Sequence, residues 1–457
     1  MEIADFAYCI AGSKRGYILS IYLTVFYSQI AQPHSPLRSA SHGNEEKVIN
    51  FVTNSFKQIT DLIQRTLQPR IERNVFQQPE SFMTTPEIIA FRGYPVEIHH
   101  VVTDDGYILE LHRIPSGSWE TCFKNRTIRR KPVFLQHGMM TTDHTWLFSS
   151  SNNSLAYILA DNGYDVWLGN SRGNVYSRKH VSLNPDTDRE YWNYSWDEMG
   201  KYDIPASIDY VLNTTEENKL AAYFGYSLGV GTFLMGAIQH SELNDKVEVM
   251  IGLGPTVNVA HLNNFFRYMA PFVKIYQFLQ ELLGIGEVHR TDGLFHLLTR
   301  LLCETSHFGV EIGKNILFQI FGYSETYEKN FAFRSSGHYP GGGSANTMAH
   351  FFQNINSGDS FLHFDYGSAE NLKRYGTTYP PEYNLTKVTV PVYLVYGDND
   401  PFAPIEDLSW LIERLGSLKA AIRVDSPGFT HGDFIWSTRL AELVNLPVID
   451  LIPSNFH

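Results

Sequence analysis

Apolar and polar positions fall into two regimes along this chain. From Val96 to Pro115 the segment "VEIHHVVTDDGYILELHRIP" alternates on either side of Asp105-Gly106. Alternation of period two around a pair that tolerates a tight turn predicts a β-hairpin. Short continuous apolar runs follow, in "KPVFLQHGMM", "YDVWLGNSRG", Leu220–Phe224, "KVEVMIGLGP", "VTVPVYLVYGDNDP" and "AAIRVDSPG". Runs of this length, closed by glycine, asparagine or proline, are the mark of buried parallel strands. Helical patterns lie between them, in "KYDIPASIDYVL" and from Val230 to Ile238. Strands alternating with helices predict an α/β fold with a mostly parallel central sheet.

Between Pro255 and Thr386 the pattern changes to long aromatic and aliphatic helical stretches such as "FFRYMAPFVKIYQFLQELLGIG" and "LFHLLTRLL", and strand signals nearly vanish. This reads as a helical cap inserted over the sheet. The expected division is a targeting segment at 1–31, a linker with an N-terminal helical extension at 32–84, a first core part at 85–254, the cap at 255–386 and a second core part at 387–457. Glu45 to Asn74 has helical apolar spacing and reads as a surface or core-packing helix. "PGGGS" at Pro340–Ser344 lacks the G-K-[ST] that a phosphate loop requires, and is expected to be a flexible connection.

Composition narrows the partners. The formal net charge is -12, which argues against nucleic acid. Lys14 and Arg15 precede the apolar run "YILSIYLTVFY". That run is shorter than the ~20 residues of a membrane span and matches the apolar region of a secretory signal. No stable transmembrane span is expected elsewhere. Five Asn-X-Ser/Thr sequons, at Asn125, Asn152, Asn193, Asn213 and Asn384, agree with the secretory route and are glycosylation candidates. Of three cysteines, Cys9 falls in the targeting segment, so Cys122 and Cys303 allow at most one disulfide.

The chemistry centres on "AAYFGYSLGVGTF", where Gly225, Ser227 and Gly229 form G-x-S-x-G between a strand and a helix. A sharp strand-to-helix turn exposes the central hydroxyl at a helix N-terminus. A serine needs a base, and the base needs an orienting carboxylate. In α/β-hydrolase sheets these follow in the order Ser, Asp or Glu, His. "VYLVYGDNDPFAP" offers Asp398 and Asp400, and "SPGFTHGDFIW" offers His431, each in a loop after a strand. Asp400 is the preferred acid, with Asp398 capping backbone amides of its loop. Asp433 is expected to brace the His431 loop. His137 precedes the serine, against the required order, and reads as a backbone-bonded loop histidine. Two backbone N–H groups, of Leu228 and of Met139, are the expected oxyanion donors.

These residues resemble the acid lipases, the family that includes lysosomal acid lipase and gastric lipase. The likeness runs from about Pro86 to Leu451 through "TDDGYILELHRIP", "FLQHGMMTTDHTW", "NSLAYILADNGYDVWLGNSRGNVYSRKH", "SWDEMGKYDIPASIDYVL", "HYPGGGSANTMAHFFQ", "GDNDPFA" and "THGDFIW". It implies an α/β-hydrolase core with a helical cap, with Ser227 as nucleophile, Asp400 as acid, His431 as base, and Met139 and Leu228 as oxyanion donors. Two features depart from the family. Its elbow usually reads G-H-S-Q-G, whereas Tyr226 and Leu228 stand here. A disulfide within the cap is common in the family, whereas Cys303 is alone in this cap.

The expected activity is serine-dependent hydrolysis of lipid carboxylic esters, triacylglycerol or steryl ester, at emulsion or membrane surfaces, through an acyl-enzyme. No cofactor and no metal is expected. The alternatives are a non-catalytic lipid carrier on the same fold and an esterase for small soluble esters. The expected compartment is extracellular or lysosomal.

Overall fold

The computed structural model describes residues 79–118, 129–288, 307–329 and 331–453. The targeting segment, the Glu45–Asn74 helix, Asn125, the three cysteines and "LFHLLTRLL" lie outside them. Its centre is a nine-stranded sheet. The strands are β1 (Glu97–Val102), β2 (Tyr107–Ile114), β3 (Pro132–Gln136), β4 (Asp165–Gly169), β5 (Lys179–His180), β6 (Ala222–Tyr226) and β7 (Met250–Leu253). After a separate short pair, β8 (Glu287–Val288) with β9 (Gly343–Ser344), the sheet resumes with β10 (Val392–Tyr396) and β11 (Leu418–Arg423). The spatial order is β1-β2-β4-β3-β6-β7-β10-β11, with β5 on β2. The hairpin β1–β2 is antiparallel, pairing Glu97 with Arg113 and Val102 with Ile108. From β4 to β11 all neighbours run parallel.

The strand alternation sorts side chains between two cores. Phe134, Trp167, Tyr223 and Met250 face one layer. Val133, Leu135, Val166, Leu168, Phe224 and Ile251, their immediate neighbours in sequence, face the other. Both faces are therefore apolar, as a parallel sheet covered on both sides requires. The first layer is closed by helices α1 (Ile204–Thr215) and α2 (Leu228–Gln239), through Ile208, Val211, Phe233 and Leu234. α2 is buried from Leu228 to Ala237, so its apolar, small-residue sequence suits a central position. The "KYDIPASIDYVL" segment opens as one π-helical stretch, Met199–Asp203, before α1 begins. Pro205 has no N–H to give, so it fits the first turn of α1.

Between β7 and β10 the longest elements among the chain's described residues are helices. They are α3 (Val273–Leu283), α4 (His307–Phe321) and α5 (Ala345–Asn356). The "PGGGS" segment here is a correction to the sequence reading. It is not a loose connection: Gly341, Gly342 and Gly343 are buried. Gly341 N donates to Met140 O at 2.8 Å, and Gly341 O accepts from Val175 N at 3.0 Å. With no side chain at these positions, the backbone lies directly on the loop after β3. None of the described helices is long and apolar enough to cross a membrane.

Candidate active site

β6 ends at Tyr226 and α2 begins at Leu228, leaving Ser227 alone in the turn. Its backbone has φ 55° and ψ −121°, a region that costs a non-glycine residue on the order of 1–3 kcal/mol. The turn is so tight that both flanking positions exclude a side chain. A Cβ on Gly225 would sit 2.7 Å from Gly229 O, and one on Gly229 would sit 2.5 Å from Gln136 O. Ser227 N donates to Leu253 O at 2.9 Å, which ties the turn to β7.

Asp400 and His431 meet Ser227 from the loops after β10 and β11. His431 Nε2 is 2.9 Å from Ser227 Oγ, and His431 Nδ1 is 2.8 Å from Asp400 Oδ2. The other Asp400 oxygen, Oδ1, accepts from Phe402 N at 2.8 Å and Ala403 N at 3.1 Å. All three residues are buried. Asp398 behaves differently from the sequence expectation. It does not cap the loop amides, which Asp400 takes instead, but pairs with Arg423 at 2.7 Å on the surface. Asp433 accepts from Thr430 N at 2.9 Å and from Trp436 Nε1 at 3.1 Å, and so braces the His431 loop.

Two neighbours of the triad had no role assigned from the sequence, where Tyr226 stood only as a departure from the family elbow. Tyr226 packs its ring, tilted by 31°, 5.0 Å from that of His431 and donates its hydroxyl to His431 O at 3.1 Å. Burial pushes that phenol well above its ordinary range, so it remains a donor. Thr256 places Oγ1 3.2 Å from Ser227 Oγ. It stands just past the carboxyl end of β7, where an open α/β sheet gathers its functional groups.

The loop after β3 lies against the serine: a Cβ on Gly138 would be 3.0 Å from Ser227 Cβ. His137 Nε2 accepts from Ser171 N at 3.1 Å, which leaves the proton on Nδ1 to donate to Gly138 O at 2.7 Å. Thr141 Oγ1 also donates to Gly138 O, at 3.2 Å. A peptide is planar and trans, so holding the Gly138 carbonyl aims the Met139 N–H the opposite way. Met140 follows at φ 55°, held by the bond from Gly341 N. Neither Met139 N–H nor Leu228 N–H donates to another described residue, and Leu228 is the first residue of α2, where an amide has no partner within its helix.

Buried histidines give this loop a pH signature. Burial lowers His137 to about 4, with the bond to Gly138 O opposing it. Burial, then the charges of His338, Arg92 and Arg334, hold His144 well below its ordinary range. Both are neutral in the fold where the unfolded chain would protonate them. Stability therefore falls as pH drops from about 6.5 toward 4. His112 on β2 runs the other way. Burial opposes its charge, but Asp143 and Glu110 outweigh burial and raise it to about 9. Its contribution is complete below about 6.5 and is lost as pH rises through about 9. Urea unfolding across pH is expected to show a maximum between these two limbs. His137→Gln should flatten the acid limb by up to about 1.4 kcal/mol per pH unit, the value of one proton. An unchanged acid limb would show that His137 is not the group responsible.

Comparison with known proteins agrees with this geometry. Residues 85–150 match the family described as the partial alpha/beta-hydrolase lipase region, and residues 131–438 match the alpha/beta hydrolase fold. Lipase 1 of Drosophila melanogaster is 36% identical over 382 residues, 83% of this chain and 81% of that protein. Gastric triacylglycerol lipase of Bos taurus is 35% identical over 384 residues, 83% of this chain and 93% of that protein. Human lysosomal acid lipase/cholesteryl ester hydrolase is 36% identical over 366 residues, 78% of this chain and 88% of that protein. The α/β sheet, the G-x-S-x-G turn and this identity over most of each relative's length together place the chain in the acid lipase family, among the carboxylic ester hydrolases of the α/β-hydrolase fold.

Proposed function

We propose that the chain hydrolyses long-chain lipid esters through an acyl-enzyme on Ser227. The observation that carries this reading is the continuous hydrogen-bonded line from Asp400 through His431 to Ser227, with spacings of 2.8 and 2.9 Å. Ser227 Oγ attacks the ester carbonyl carbon while its proton passes to His431 Nε2. Asp400 holds the imidazole in the required tautomer and stabilises the imidazolium. The Met139 and Leu228 N–H groups receive the oxyanion. Collapse breaks the bond to the alcohol, which leaves with the proton from His431. Water then repeats the sequence, and the fatty acid departs.

The surroundings of His431 support this substrate class. Phe402 lies 4.5 Å from its ring and Phe321, at the end of α4, 6.2 Å. Phe266 and Phe351 extend this aromatic group, each 6.2 Å from Phe402. Three of these four side chains come from the segment between β7 and β10, which we read as the cap. An acyl chain packed against the two half-buried members of this group, Phe266 and Phe321, would gain about 0.8 kcal/mol per buried CH₂. On the same segment Tyr268, Phe272, Ile275, Phe278 and Leu282 are 51 to 75% exposed, which suits contact with an emulsion or membrane surface. Relatives named for triacylglycerol and cholesteryl ester make neutral lipid esters the favoured substrates. The signal-like start and the exposed Asn152, Asn193, Asn213 and Asn384 support glycosylation and a secreted or lysosomal destination.

Rates on C2 and C16 esters of one alcohol, with and without detergent, test this. A kcat/KM that favours C16 in both conditions is expected. A C2 preference in both would exclude the lipid reading and favour a small-ester esterase.

A further inference from the structure

We propose that Thr256 is a catalytic residue, whose hydroxyl donates to Ser227 Oγ and stabilises the negative charge that oxygen develops. This rests on the reading of Ser227 as nucleophile. The protons along one line of hydrogen bonds fix the direction of this contact. Asp400 accepts at both oxygens: Oδ1 takes the Phe402 and Ala403 amides, and Oδ2 faces His431 Nδ1. His431 therefore carries its proton on Nδ1 and offers a lone pair at Nε2. Ser227 gives its single proton to that lone pair. Only lone pairs remain on Ser227 Oγ, so across the 3.2 Å contact Thr256 must be the donor. Thr256 Oγ1 has no other partner among the described residues.

The hydroxyl is also held in place. Thr256 is 3% exposed, and its N–H donates to Ser227 O at 3.3 Å. Its carbonyl oxygen would be 2.9 Å from a Cβ on Gly231, so it is packed against α2. A β-branched side chain has few χ1 choices once its backbone is fixed.

The consequence appears at two steps. In acylation the Ser227 proton moves to His431 as the Oγ–carbon bond forms, and Thr256 donates to the oxygen while it is electron-rich. In deacylation the acyl carbon–Oγ bond breaks, Oγ leaves with the electron pair, and the proton returns from His431. Thr256 again donates to the oxygen that carries the charge, and keeps its own proton throughout. Charge-assisted hydrogen bonds are stronger than neutral ones, so the contact strengthens toward the transition state of each step.

The test is the second-order rate of covalent labelling by an alkyl fluorophosphonate. That rate reads attack by Ser227 without requiring deacylation. Thr256→Val keeps the side-chain shape and removes the hydroxyl, whereas Thr256→Ser keeps the hydroxyl. Thr256→Val is expected to label about tenfold more slowly. Thr256→Ser should remain within about threefold of the parent, and the midpoint of the rate's pH profile should not move in either variant. If Thr256→Val does not fold, Thr256→Ala against Thr256→Ser poses the same question, because the two differ only in the hydroxyl. Labelling of the valine variant at the parental rate overturns the proposal. So does equal slowing with and without the hydroxyl, which would mark a packing role. Ser227→Ala separates the two readings. If that variant labels as fast as the parent, or the parent does not label, the nucleophile assignment fails and Thr256 with it. If the parent labels and Ser227→Ala does not, the valine result bears on Thr256 alone.

Discussion

Ser227→Ala is expected to fold as the parent does and to lose on the order of 10⁶-fold in kcat on a lipid ester. The fold survives because alanine keeps the Cβ and the backbone of the turn. The bond from Ser227 N to Leu253 O and the close contact of Gly225 with Gly229 do not involve Oγ. What disappears is the only oxygen that the described residues bring within hydrogen-bond reach of His431 Nε2. Residual turnover would come from the backbone donors and substrate positioning, which supply about 10³–10⁴ over water in serine hydrolases of this type. Matching circular dichroism and melting temperature, with initial rates on an emulsified triacylglycerol, check both halves. A folded variant that retains more than a few per cent of activity would remove Ser227 from the reaction.

The second large effect separates the two aspartates. Asp400→Asn should lower kcat by about 10⁴-fold. An asparagine here has one carbonyl oxygen to offer, and the Phe402 and Ala403 amides claim it. Its NH₂ then faces His431 Nδ1, donor against donor. The imidazole relieves that clash by moving its proton to Nε2, where it can no longer accept from Ser227. Asp398→Asn only weakens a surface pair with Arg423, so kcat should stay within about threefold. The opposite ranking of the two variants would refute the choice of Asp400.

Some of this was legible in the sequence because it obeys local periodicity or chain order. The β1–β2 hairpin shows as alternation around Asp105-Gly106. The parallel strands show as apolar runs, because both sheet faces are covered and no polar face breaks them. The Ser227, Asp400 and His431 candidates could be found by order, since each sits past the carboxyl end of its own strand. Other features depend on distant partners and leave no periodic trace. "PGGGS" reads as flexible by composition, but its glycines are there so that backbone can lie against Met140. Asp398 and Asp400 differ by two positions in one loop. Only the paths of Phe402 N and Arg423 decide which of them caps amides and which reaches solvent. Thr256 has no motif, and its contact with Ser227 exists because β7 lies beside β6 in the sheet.

The placement of the helical segment between β7 and β10 sets when the protein becomes an enzyme during its own synthesis. Ser227 and its turn are made early, whereas His431 lies 204 residues downstream. At translation speeds of about 5–20 residues per second, roughly 10–40 s separate the two. Over that interval the nascent chain holds a serine without its base, and an ordinary alcohol is a poor nucleophile. Activity waits for β10 to pair with β7 across the whole excluded segment, a closure of high sequence separation and therefore a late one. A chain that stalls or is cut anywhere before His431 is therefore chemically silent toward lipid esters.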